Sequence, residues 1–344
     1  MRNKALVTIL VPIYNVEKYI AKCLNSLIKQ TYNNIEILAI DDGSPDNSKE
    51  IVLKFAERDS RIKLISKNNG GYGSALEVGI FQTKTKYFLI CDPDDWLADN
   101  AIQKLVTAAE KNDLDLVVGS KFNVYEGTSI QEYVPSFSED LNIKPGFVYK
   151  NSSDIQRFAF GAISPHAKLY KTNLAVDFKF PYHVSYTDFV LYILFLTKAK
   201  RVEYIDSPLA YYLIDRKGNT TTSTNPSRIK DYLVGWESIM SQLPLTQNSN
   251  INEILFRMFL QLKFILSEYS KTEKVDFNSN YFKKIYSSIK EIQLYKDAVL
   301  KGTLNNVSVQ SKLLNYFLLN EITGKMAAKF LTNKEKYKQK HNKR

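Results

Sequence analysis

Apolar positions in the first hundred residues fall into two alternating rhythms. Residues 6–13, LVTILVPI, are almost continuously apolar and rich in β-branched side chains, which predicts a strand buried on both faces. The following VEKYIAKCLNSLIK places Val16, Ile20, Leu24, Leu27 and Ile28 along one side of a helix. IEILAI at 35–40 is a second strand, closed by the turn-forming DDGSPDNS, where Asp46 or Asn47 can cap a helix around 51–56. IKLIS at 62–66 makes a third strand, the Gly-rich NNGGYGSA leads into a helix, and KYFLIC at 86–91 makes a fourth strand. Strand–helix alternation at this spacing predicts an α/β fold with parallel strands and right-handed crossovers. Ligands of such sheets bind beyond the carboxyl ends of the strands. Here those ends carry Tyr14-Asn15, Asp41-Asp42, residues 68–71 and residues 92–95.

Beyond residue 100 the pattern loosens. DLDLVVGSKFNVYEG reads as a strand running into a hairpin or loop, and residues 127–145 as a polar excursion over the crevice. ISPHAKLYKTNLA and YTDFVLYILFLTKAKRVEYIDSPLAYYLI follow, a helix and then one or two strands. The polar RKGNTTTSTNPS at 216–227 is a linker. After it, apolar residues recur at helical spacing through 229–240, 251–269 and 307–319, with almost no strand signal. The expected division is residues 1–220, with a nucleotide-binding half at 1–100 and an acceptor half at 101–220, then a helical part with a basic tail at 221–344. The N-terminal MRNKALVTILVPIYN begins like a signal peptide. Its apolar run is short, is interrupted by Pro12 and meets no small-residue cleavage site, so a buried strand is expected instead. FVLYILFL at 189–196 is too short to span a bilayer.

Composition narrows the class. With 344 residues, 44% hydrophobic and 24% charged, the chain can bury a substantial core and is not a disordered protein. Two cysteines, Cys23 and Cys91, provide neither a disulfide framework nor zinc-ligand spacing and read as core filler, which makes a reducing cytoplasm the expected compartment. The net charge of +11 is uneven. Residues 1–100 hold 13 Lys and Arg against 13 Asp and Glu, whereas residues 201–344 hold 23 against 13. The neutral first half argues against nucleic acid as a partner. GKMAAKFLTNKEKYKQKHNKR carries eight Lys and Arg and one Glu from Lys325 onward, with Met326, Phe330 and Leu331 close together. Such a tail either frays and solubilises or lies peripherally against the anionic inner face of the cell membrane.

The residues with chemical potential sit in ICDPDDWLADN. Asp92, Asp94 and Asp95 at a strand end suit a hard divalent ion that also meets substrate phosphates. The structural alternative is a capped turn, with Asp94 or Asp95 as N-cap of a helix starting near Leu97 or Ala98. In AIDDGS, Asp42 can accept hydrogen bonds from a uracil N–H or ribose hydroxyls while Tyr14 offers a flat face to a base; otherwise the segment is an Asx turn.

VTILVPIYNVEKYIAKCLNSLIKQTYNNIEILAIDDGSPDNS, NNGGYGSA and ICDPDDW, in this order, resemble the N-terminal half of a bacterial family-2 glycosyltransferase of the glycan-assembly type. The likeness is close over residues 5–100 and looser to about residue 215. It implies the GT-A fold, a Rossmann-like, mostly parallel sheet flanked by helices, with the C-terminal helical appendage outside it. Carried over by position, it places Pro12, Tyr14, Glu17, Asp42, Gly71 and Asp92 around the nucleotide. Asp92 and Asp94 become the Asp-x-Asp pair for Mn²⁺ or Mg²⁺, with Asp94 the direct ligand, and Asp95 and Trp96 stand near the sugars. Asp188, in SYTDFVLYILF, becomes the catalytic base, its structural alternative being a helix N-cap; Thr187 stands where members usually carry Glu. Leu76-Glu77 replaces a common Arg-Asn pair, which shifts neutralisation of the diphosphate to the metal and to Arg216 or Lys217. His166 replaces a frequent Trp and becomes an acceptor-site candidate or a buried, satisfied histidine; His183 is a further sugar contact. The implied reaction is metal-dependent, inverting transfer of a hexose (galactose, glucose or an N-acetyl form) from a UDP-sugar to a glycan hydroxyl, protein- or lipid-linked. Glycoside hydrolysis needs no nucleotide pocket, and a nucleotidyltransferase would carry a basic phosphate loop that VPIYNVEKY lacks. The remaining alternative is a non-catalytic nucleotide-sugar-binding or scaffold protein.

Overall fold

A computed structural model of the chain describes residues 5–214, 227–245, 250–272, 275–302 and 308–341. It divides into two compact units, Met1–Ser223 and Thr224–Arg344.

The first unit begins with β1 (Val7–Ile13), α1 (Ile20–Ile28), β2 (Ile35–Asp41), α2 (Ser48–Ala56), β3 (Ile62–Ser66), α3 (Tyr72–Gln82) and β4 (Tyr87–Ile90). All seven residues of β1 are buried, as a strand covered on both faces requires. β1 pairs in parallel with β2 on one side and β4 on the other, and β2 pairs in parallel with β3. The chain therefore winds outward through β2 and β3 and then returns across β1 to β4. That reversal is a topological switch point, and the crevice at such a point opens between the carboxyl ends of the two strands. Pro12 fits β1 because its pairing with β4 ends at Leu10, so no missing amide hydrogen bond results.

After β4 come β5 (Trp96–Leu97), α4 (Ala101–Asn112), β6 (Leu116–Tyr125), β7 (Gln131–Val134), β8 (Val148–Tyr149), α5 (Ser152–Gln156), β9 (Lys168–Lys171), α6 (Thr187–Lys198) and β10 (Val202–Ile214). Among the described residues these complete a ten-stranded sheet ordered β3-β2-β1-β4-β9-β6-β10-β5, with β7 beside β6 and β8 beside β10. β9 runs antiparallel between β4 and β6, whereas β6 and β10 are parallel. This mostly parallel mixed sheet flanked by helices is the architecture expected from the sequence. The strand expected in DLDLVVGSKFNVYEG forms as β6, and its antiparallel hairpin partner β7 lies within residues 127–145, the stretch expected to be a polar excursion. FVLYILFL lies within α6, a helix buried almost all round, as its uniformly apolar sequence demands.

The second unit is helical: α7 (Ser227–Gln242), α8 (Asn252–Ser270), α9 (Asn280–Gln293), α10 (Lys296–Lys301), α11 (Val309–Leu318) and α12 (Gly324–His341). Trp236, fully buried on α7, donates from its indole nitrogen to Met258 O on α8 at 3.0 Å. The basic tail is helical as far as His341. Among the described residues no helix is long and apolar enough to cross a membrane.

Candidate active site

The carboxyl ends of β1 and β4 open into a crevice of about 610 Å³. Its wall includes Pro12, Tyr14, Asp42, Gly71, Asp92, Asp94, Asp95, His166, His183 and Asp188, so ten of the sequence-predicted residues meet in one cavity.

One side is built by three interlocked loops. The loop after β1 is tied to the loop before α2: Val16 N–H donates to Ser48 Oγ at 2.9 Å, and Glu17 N–H to Asp46 Oδ2 at 2.9 Å. In return Asn47 donates to Glu17 Oε2 from its backbone at 3.0 Å and its side chain at 2.9 Å. Glu17 thus clamps two loops and is not among the residues lining the crevice. Tyr14 is half exposed, its ring available to a base. Asp42 is buried and accepts from Gly70 N–H at 3.0 Å and Gly71 N–H at 2.7 Å, with the Lys67 ammonium paired to it. It organises the Gly70-Gly71 turn from which Tyr72 starts α3.

The acidic cluster is not a helix cap. Asn100 precedes α4, which starts at Ala101, and Trp96–Leu97 forms the short strand β5. Asp92 Oδ1 accepts from Tyr72 OH at 2.7 Å. Asp95 Oδ1 accepts from Leu213 N–H at 2.8 Å on β10, and its other oxygen is hydrogen-bonded to His166 Nε2. His166 Nε2 also lies 3.9 Å from Asp92 Oδ2. Asp92, Asp95 and His166 each offer a donor atom, all within 4.8 Å of one another. Asp94 lines the same wall outside this convergent group, a difference from the expected Asp92–Asp94 pair. Burial, followed by the Asp95 and Asp94 carboxylates, holds Asp92 well above the usual carboxylate range. Burial also holds His166 well below the usual imidazole value, with help from the Lys121 and Lys168 ammonium groups. A neutral imidazole is a ligand, and its Nδ1 is buried with no hydrogen-bond partner. Two carboxylates that resist ionising together beside a neutral imidazole fit a divalent cation.

Asp188 enters the crevice from the first turn of α6, after Tyr186 at φ +65°. Burial raises its proton affinity, opposed by backbone N–H groups and by Lys168 and Lys121. The departure at position 187 has a packing reason. Thr187 is fully buried, and its Cγ2 lies 3.0 Å from where a Cβ on Gly73 would stand, so α3 crowds the place a glutamate would need. The departure at 76–77 is equally structural: Leu76 is core, while Glu77 accepts from Phe180 N–H at 3.2 Å. Arg216 and Lys217 lie outside the described residues.

Trp96 lines a neighbouring cavity of about 410 Å³ that shares Asp94 with the crevice, stacked on Tyr211 at 5.4 Å with the Lys22 ammonium 3.0 Å above its ring. Phe122 continues the stack, 5.6 Å from Tyr211. Sequence reasoning missed Lys121, whose ammonium lies in the crevice wall 4.2 Å from the Tyr212 ring centroid. A lysine following the apolar LVVGS of β6 was the available signal. It also missed Lys168, fully buried behind the site, pushed down to about 7 by burial and then by Lys121.

Known proteins resemble this chain in sequence and in fold. Residues 8–175 match the family model described as glycosyl transferase family 2. Glycosyltransferase GlyG of Streptococcus pneumoniae serotype 4 is 32% identical over 224 residues, 64% of this chain and 73% of GlyG. Glycosyltransferase GlyA of the same organism is 33% identical over 220 residues, 62% of this chain but only 31% of GlyA, so the match spans under a third of that relative. Among solved structures, residues 1–349 of TarS from S. aureus, in complex with UDP-GlcNAc, superpose with a TM-score of 0.72 at 19% identity, covering 97% of this chain and 91% of that one.

Proposed function

The chain belongs to glycosyl transferase family 2, and on that premise we propose that it transfers a hexose from a UDP-sugar to a hydroxyl of a glycan acceptor with inversion. The observation that carries the reading is the meeting, in one crevice, of Asp188 with the Asp92–Asp95–His166 group and the nucleotide-facing loops. Tyr14 supplies a face for the base, and the turn held by Asp42 shapes the wall against which it lies. Asp188 takes the proton from the acceptor hydroxyl, and the resulting oxygen attacks the anomeric carbon. The bond from that carbon to the diphosphate oxygen breaks from the opposite side, leaving UDP. A carboxylate whose proton affinity is raised by burial is better matched to this task near neutral pH than an ordinary one. Mn²⁺ or Mg²⁺, held by Asp92, Asp95 and His166 with Asp94 on the same wall, would supply positive charge for the departing diphosphate. Lys121 brings a further positive charge to the wall and helps hold Asp188 ionised.

The TarS fragment of the same fold was solved with UDP-GlcNAc and with UDP, which supports a uridine diphosphate donor. The acceptor is a glycan on a glycoprotein or on a lipid-linked oligosaccharide. The direct test is slow donor hydrolysis without acceptor: Mn²⁺, each of UDP-glucose, UDP-galactose and their N-acetyl forms, and UDP release with and without chelator. Chelator-sensitive release from one donor is expected. Calorimetric UDP binding with no release from any donor, even when a mixed glycan acceptor pool is added, would favour a non-catalytic sugar-nucleotide binder.

A further inference from the structure

The helical unit carries a feature that a crevice for sugar nucleotides does not require. α12 has two unlike sides. Ala327, Ala328, Leu331 and Thr332 are buried, whereas Met326, Phe330 and Tyr337 are 75%, 59% and 64% exposed. At about 100° per residue, these three exposed residues fall within about 40° of one another around the helix. Lys325, Lys329 and Lys336 flank that stripe on one side and Lys334 and Lys338 on the other. Glu335 projects away from the stripe and pairs with Lys338 at 3.0 Å. α11, in contact with α12, repeats the arrangement: Val309, Leu313, Tyr316 and Phe317 are all strongly exposed, beside Lys312, while Leu318 is buried. From 308 to 341 there are seven lysines and two glutamates.

An apolar stripe with a basic rim is the pattern of a helix lying in a membrane interface. We propose that the exposed faces of α11 and α12 form a docking surface for an anionic lipid bilayer. The apolar side chains enter the headgroup boundary and the lysines meet lipid phosphates. Charge complementarity selects this occupant over a second copy of the chain, because pairing two such faces would bring two sets of lysines together. The proposal is independent of the transferase reading, since none of these residues belongs to the crevice.

The test is co-sedimentation of the full chain with vesicles of pure phosphatidylcholine or of equimolar phosphatidylcholine and phosphatidylglycerol. Binding is expected to the anionic vesicles and to fall with salt. Lys334→Gln with Lys338→Gln should lower the partition coefficient on the order of thirtyfold, at roughly fivefold per basic residue. Met326→Asn with Phe330→Asn should lower it by more than about tenfold through lost apolar burial. UDP affinity should stay unchanged in both, reporting intact folding. Equal binding to both vesicle types, or no binding to either, would overturn the proposal. So would a lipid-free dimer abolished by Met326→Asn with Phe330→Asn, which would identify the face as a self-association surface.

Discussion

Replacing Gly71 by alanine probes how closely the loops on either side of the crevice are fitted. Gly71 has φ +85° and ψ 172°, a region almost confined to glycine, and holding another residue there costs about 1–3 kcal/mol. A Cβ would also stand 2.9 Å from the His183 backbone nitrogen and 3.1 Å from its Cα. No rotamer change relieves an overlap with backbone, and overpacking of this kind costs about a further 1–3 kcal/mol. The neighbouring strand of chain cannot simply retreat. His183 N–H donates to Gly70 O at 2.8 Å, and His183 itself has φ +55°. The control is Gly127→Ala: φ is +75°, but a Cβ there meets nothing within 4 Å. It incurs only the conformational cost, about 1–2 kcal/mol. Thermal unfolding should therefore place Gly71→Ala below Gly127→Ala, at about 2–4 °C for each kcal/mol in a unit of this size. Titration calorimetry with UDP should show weaker binding for Gly71→Ala, since Gly71 lines the crevice wall that the substitution displaces. Gly127→Ala should bind UDP as the unaltered chain does. Equal melting temperatures and equal UDP affinities for the two variants would refute the close fit and the place of Gly71 in the nucleotide wall.

Asp188→Asn should keep UDP binding and lower transfer by about 10²–10⁴-fold, as loss of a general base does; retained transfer would leave Asp188 only its bonds to backbone N–H groups in the first turn of α6. The same group sets a pH dependence. Its folded-state proton affinity is raised by burial, so transfer should fall as pH drops through a value above the ordinary carboxylate range. Stability moves the other way. The fold disfavours the ionised form, so the penalty is absent in acid and develops as pH rises past the unfolded value, and Asp188→Asn should melt higher than the unaltered chain at pH 7 but not at pH 3. Asp92→Asn should abolish chelator-sensitive UDP release in the donor screen, and release surviving at full rate would remove Asp92 from the cation site. Trp96→Ala should cost on the order of 1 kcal/mol by removing the stack with Tyr211, yet leave UDP affinity unchanged in calorimetry.

How much of this was legible depends on whether a feature is local. β1 to β4 could be read because a parallel strand covered on both faces is an unbroken apolar run, and the loops following them inherit their place in the crevice. β9 could not be read so easily. KLYK carries lysines at both ends and becomes a strand only by insertion, antiparallel, between β4 and β6. β5 is two residues long and exists through its pairing with β10. The same distinction governs the site. The Asp-rich turn, the Gly-rich loop and the acid before α6 are short motifs in sequence. The bonds from Asp95 to His166 and to Leu213 span 71 and 118 residues, and no local pattern announces them. The place of Trp96 is set in the same way, since adjacency to Asp95 along the chain says nothing about which side of β5 a side chain faces.

Asp95 explains why the ends of β4, β9 and β10 have to meet. An acidic turn left to itself would splay, since its carboxylates repel. Here one oxygen of Asp95 is held by the Leu213 amide on β10 and the other by His166, in the approach to β9. Asp92 is held in turn by Tyr72 from the first turn of α3. The acids are therefore fixed by groups from three separate elements before any cation arrives, and the electrostatic cost of crowding them is carried by the fold, as the raised proton affinity of Asp92 shows. A cation entering such a group would meet donor atoms already in place and need little rearrangement of the protein around it. Asp188 is supported differently: backbone N–H groups and two lysines favour its ionised form against burial, so it can remain a base beside the same acids. The switch-point topology brings these two carboxylate environments into one crevice while leaving them different, as the proposed division into a cation holder and a proton acceptor requires.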